Sequence, residues 1–174
     1  MRIVAVFVLI ALSFPAAAST REQINGAFGI SLGQLFDKSS AIGQRTMHDG
    51  TRALRFQPDK TFEFFSRYYV LVTKEPHAVY AIWAEGDMED DEKCREAQQV
   101  LMALLENKYG VLQKNRISSQ RYAAKRVTLN ERYIETSCSG YNVTLNIRYS
   151  DAELENSSKN NPKSSVQKLD ASGL

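Results

Sequence analysis

The chain has 174 residues, 43% hydrophobic and 24% charged: a single-domain length with the composition of a folded globular protein. Its 22 basic and 20 acidic residues leave a formal charge of +2, which argues against a nucleic-acid partner, since that would need a concentrated basic surface. Two histidines and two cysteines are too few for most metal sites built from those residues, and neither a metal nor a cofactor is expected.

The chain opens Met1-Arg2, continues almost wholly apolar over 3–14, and exits through Pro15-Ala16-Ala17-Ala18. This is the pattern of a Sec-type signal peptide, 1–18, with cleavage predicted between Ala18 and Ser19. The apolar stretch is too short for a membrane span, which takes about 20 residues, and no later segment is longer. Loss of the leader removes Arg2 and no acid, so the mature chain stays close to neutral. A soluble, periplasmic or secreted protein is expected. In an oxidising compartment Cys94 and Cys138 read as one disulfide, since they lack the Cys-x-x-Cys spacing of a redox pair.

Residues 19–154 read as one α+β domain. The alternation over 28–33 predicts a short strand leading into a brief helical segment at 34–40. Residues 43–50 are loop-like, and 51–56 form a strand ended by the turn residues Pro58-Asp59. Aromatic and β-branched residues over 62–73 and 78–84 predict a hairpin with loop 74–77. Its register would set Leu71 opposite Tyr80, Tyr69 opposite Ile82 and Tyr68 opposite Trp83. Both faces of that hairpin are apolar, so both need cover or one faces a partner. The expected cover is a helix on one side and the 28–33 segment on the other.

Residues 90–109 predict the main helix, with Cys94, Ala97, Leu101, Leu104 and Leu105 on one stripe. The acids of 85–92 gather at its start, where they favour the helix dipole and can cap, and Gly110 stops it. Strict alternation from Tyr141 to Tyr149 predicts a half-buried strand, paired through a two-residue turn at Ser139-Gly140. Stripe and alternation both aim their cysteine inward, and a bond between them closes a loop of about 45 residues, worth about 4 kcal/mol on the chain-entropy model. The predicted fold is an antiparallel sheet of about five strands with one main helix on one face and a single disulfide. Residues 155–174 lack apolar anchors and read as a disordered polar tail.

No residue set presents itself as catalytic. Ser137-Cys138-Ser139-Gly140 is not a nucleophile elbow, and His48 and His77 both fall in loops. The acidic 85–92 run lacks the glycine and distant glutamate of a calcium loop, and Gly26, Gly29 and Gly33 do not form a phosphate-binding motif. Two features carry binding instead. The basic run Lys114, Arg116, Arg121, Lys125, Arg126 reads as an anionic-surface contact or as a solvated edge strand. The aromatic cluster that includes Tyr68 and Trp83 reads as core or as a recognition face. Tyr68, Trp83, Lys114, Arg116 and Arg121 are therefore the candidate binding residues.

Phe28-Gly29-Ile30-Ser31-Leu32-Gly33, the strand 68–73, Ile82-Trp83-Ala84, Cys94 on a helix ending Lys108-Tyr109-Gly110, and Cys138-Ser139-Gly140 occur in that order. Over about residues 28–149 they resemble an uncharacterised family of small secreted, periplasmic proteins of Gram-negative bacteria. The resemblance implies a periplasmic setting and neither an activity nor a functional residue. The expected function is a non-catalytic interaction protein that binds another envelope protein, as an inhibitor or immunity-type protein does. The alternative is a small envelope-polymer hydrolase using carboxylates the sequence does not single out. A deep pocket holding two perturbed titratable groups would favour the enzyme, and an aromatic patch without one would favour binding.

Overall fold

The computed structural model describes residues 22–47, 50–110, 115–119, 122–139 and 142–160, so the predicted leader and residues 161–174 lie outside the described residues. The described chain starts with a small hairpin, β1 (Gly26–Ala27) and β2 (Ile30–Ser31), in place of one strand over 28–33. A 3-10 turn at Lys38–Ser40, capped by the Asp37 carboxylate on the Ser39 N–H, is all that forms of the predicted helical segment.

Eight antiparallel strands then build one sheet: β3 (Gly43–Thr46), β4 (Arg52–Phe56), β5 (Arg67–Val72), β6 (Val79–Asp87), β7 (Asn115–Ser119), β8 (Tyr122–Leu129), β9 (Arg132–Ser139) and β10 (Thr144–Asp151). Their order is β3-β4-β5-β6-β10-β9-β8-β7. The α+β class and antiparallel sheet match expectation, but a count of about five strands is too low. Strand β3, predicted as loop, is exposed at every position and so has no apolar alternation to announce it.

Helix α1 (Asp91–Tyr109) packs on the first face of the sheet. Asp90 caps it, its carboxylate accepting from the Lys93 N–H at 2.8 Å, and Gly110 ends it at φ 82°. Cys94, Ala97, Leu101 and Leu105 point inward as predicted, but Leu104 is 48% exposed. Gln98 and Met102 fill the arc instead, and Gln98 Nε2 is satisfied by donating to the Thr136 carbonyl at 3.0 Å. The same face also takes the 24–36 segment through Ile24, Phe28, Leu32 and Phe36. That segment was expected on the opposite face. The opposite face instead carries α2 (Ala152–Asn160), whose Leu154 packs with Met47 on Tyr69, Leu71 and Tyr80. The predicted tail therefore fails at its start, because 155–160 belong to α2.

The β5–β6 hairpin closes through residues 74–77 as predicted, Thr73 N–H donating to the Ala78 carbonyl at 2.9 Å. Val72 pairs Val79, and then a bulge sets both Tyr80 and Ala81 onto the second face, so Leu71 pairs Ala81. Beyond it the predicted partners are displaced by one: Tyr69 pairs Trp83 and Tyr68 pairs Ala84. In the β9–β10 hairpin Ser139 pairs Thr144 and Cys138 pairs Leu145, so the turn is longer than Ser139-Gly140. The displacement from the predicted register is an even number of residues, which leaves every side chain on its predicted face. Cys138 thus meets Cys94, with S–S 2.09 Å and Cα–Cα 5.9 Å.

Candidate functional site

The bulge decides what the aromatic cluster can do, because it places Tyr68 and Trp83 on opposite faces. Tyr68 is 2% exposed and lies under Phe28, ring centroids 4.9 Å apart. Its hydroxyl donates to the Phe65 carbonyl at 3.0 Å and accepts from the Phe62 N–H at 3.0 Å. Tyr68 is a core residue that anchors the 62–65 loop, which corrects its placement among the binding candidates. Of the basic candidates, Lys114 and Arg121 lie outside the described residues, and Arg116 falls on β7 opposite Lys125.

Trp83 lies half-buried on the second face. Neighbouring strands carry a continuous row there: Arg55 on β4, Tyr69 on β5, Trp83 on β6 and Arg148 on β10. Tyr69 and Trp83 stack with centroids 5.0 Å apart, and the Arg45 guanidinium stands 5.3 Å from the indole centroid. The indole N–H donates to Asn146 Oδ1 at 3.2 Å, and Asn146 Nδ2 donates to Ser139 Oγ at 2.8 Å. A shallow hollow of about 230 Å³ opens beside the indole, lined among others by Met47, Ser137, Ser139, Asn146 and Arg148.

The carboxylates of this face are engaged by cations. Glu85, nearly buried, accepts from Arg45 at 3.0 Å and Arg67 at 3.1 Å. Arg67 also grips Asp87 through its two terminal nitrogens, Nη1 and Nη2, which holds the Asp87 carboxyl below its ordinary value. Glu135 meets Arg126 at 2.6 Å. Glu155 of α2 accepts from Arg148 at 3.0 Å, Lys159 at 2.8 Å and the Tyr133 hydroxyl at 2.9 Å. Burial alone would raise its pKa, but those partners together keep it below the usual glutamate range.

No protein-family model, curated protein or solved structure matches this chain. Its own geometry has to carry the functional reading. A cleft of about 840 Å³ is bounded by the 3-10 turn, the β3–β4 and β5–β6 loops and the end of α2. Lys38, Arg52, Lys74 and Lys159 line it, and among the described residues no aspartate or glutamate does. These cations come from four separate elements, so no local charge run in the sequence marks them. Tyr69 belongs to the aromatic cluster read from the sequence, but Arg45 and Arg148 escaped notice for a similar reason, since only strand register and packing join them to Trp83. Among the described residues, no group of three or more His, Cys, Asp or Glu is placed to hold a metal ion, and no helix is long and apolar enough to cross a membrane.

Proposed function

We propose that this is an exported, periplasmic protein that performs no chemistry of its own and holds another envelope protein on its second sheet face. The observation that carries this reading is the Arg55–Tyr69–Trp83–Arg148 row. It sets an aromatic pair, with Trp83 half-exposed, between two arginines on rigid central strands. Trp, Tyr and Arg are the residue types that dominate interface hot spots. With Arg148 held by Glu155, the exposed Arg55 beside the stack suits a partner that presents a carboxylate next to an apolar side chain. Such a partner fits the inhibitor or immunity role. The disulfide between helix and sheet supports an oxidising compartment, as does the resemblance to small secreted proteins.

The hydrolase alternative needs two carboxyls facing one cleft. The spacious cleft is lined by cations, and the carboxylates of the second face are tied to arginines, so neither place supports it. The test is capture from periplasmic extract by protein purified from the periplasm, wild type beside Trp83→Ala. We expect an acidic partner that wild type retains and the variant loses, with affinity down about tenfold or more. Equal retention by a folded Trp83→Ala protein would remove this face from the binding reaction.

A further inference from the structure

We propose that the basic cleft is a second binding site, separate from the Trp83 row, for a ligand bearing two or more phosphate groups. A folded surface normally intersperses the two signs of charge, because like charges brought together repel. Here Lys38, Arg52, Lys74 and Lys159 converge on one cavity of about 840 Å³ that, among the described residues, no carboxylate lines. That volume lies within the range of small-ligand sites.

Their existing partners leave charge to spare. Lys159 is paired with Glu155, and Lys38 meets the imidazole of His77. Among the described residues, Arg52 and Lys74 have no carboxylate within ion-pairing distance. Glu75, beside Lys74 in the chain, lies 3.6 Å from His77 instead. The wall adds hydroxyl groups from Thr73 and Ser158, and the floor is apolar, formed by Leu54 and Val72. Several cations with hydroxyl donors match a polyanion with many oxygens, because phosphate accepts charge-assisted hydrogen bonds from lysine and arginine alike. The apolar floor suits a ligand whose phosphates are joined to a carbon body. A soluble oligophosphate ester and a phosphate-bearing lipid headgroup both have that chemistry.

Calorimetric titration of the purified protein with inorganic tripolyphosphate tests the site, alongside co-sedimentation with phosphatidylglycerol–phosphatidylcholine vesicles and with phosphatidylcholine vesicles alone. Tripolyphosphate should bind, weaken as salt is raised, and lose about tenfold or more in affinity in the double variant Arg52→Gln, Lys74→Gln. Both side chains are exposed, so the fold should persist. Lys74→Glu alone should weaken binding in the same direction, whereas Arg52→Lys with Lys74→Arg should retain it. Retention on phosphatidylglycerol vesicles, reversed by tripolyphosphate, would identify the headgroup as the source. Tripolyphosphate binding without vesicle retention would identify a soluble ligand. Failure to bind either probe, or equal binding by wild type and the double variant, overturns the proposal. Protein capture through Trp83 should be indifferent to these substitutions, because the cleft lining includes none of Arg45, Tyr69, Trp83 or Arg148.

Discussion

Gly86 stands next to last in β6, opposite Leu145, where the 64–65 backbone crosses directly over the strand. A Cβ built there would sit 1.7 Å from the Phe64 carbonyl oxygen and 2.8 Å from its carbon. Backbone cannot swing aside as a side chain can, so Gly86→Ala must push the 62–65 loop off the sheet. It should cost about 1–3 kcal/mol or more, read as a lowered urea midpoint with an unchanged slope. That loop is held by the Tyr68 hydroxyl, and its displacement should expose Tyr68 together with Phe65. Neither role can be read from the sequence. A lone glycine within a strand signals a close approach without naming what approaches. The separation of Tyr68 from Trp83 depends on one bulged residue, and a hairpin read by simple alternation places them on the same face.

At the level of single elements, α1 was legible and α2 was not. Helix α1 has a capping aspartate, a stopping glycine and an inward apolar stripe, three local signals that agree. Helix α2 has one apolar anchor, Leu154; its first turn is held by the Glu131 carbonyl and the Asp151 carboxylate, and its side-chain ion pairs centre on Glu155. Polar residues that dock by ion pairing look like tail when read as composition. This attachment makes α2 sensitive to acid. The Glu155 carboxyl is held below its ordinary value in the folded protein, so its contribution is complete above about pH 4.3 and is lost as pH falls through the lower native value. Amide protection factors over 152–160, corrected for the intrinsic pH dependence of exchange, should fall on acidification ahead of those in α1. Glu155→Gln should bring the same loss of protection at neutral pH. Exchange in α2 that tracks global unfolding at every pH would contradict this.

For the whole molecule, the packing of α1 on the sheet and the disulfide were readable because side-chain direction survives an even error of register. The β9–β10 pairing differs from expectation by an even step, and Cys138 still faces Cys94. Strand number was not readable, because edge strands such as β3 carry polar residues that solvate the sheet margin. The bond joins α1 to β9 across 44 residues. Removing it with the pair Cys94→Ser and Cys138→Ser should cost about 2–4 kcal/mol, measured by denaturant titration against the oxidised wild type. Reduction of the wild type should reproduce that loss, and an unchanged midpoint after reduction would show that packing alone fixes the helix.

The same bond changes how the molecule would respond to being pulled from its two ends. Tension entering at Cys94 crosses through sulfur to Cys138 and bypasses the 95–137 stretch. Nearly all of α1, with β7, β8 and most of β9, would remain slack while the other strands separate. A stretched molecule would therefore keep about a quarter of its contour hidden until the bond is reduced.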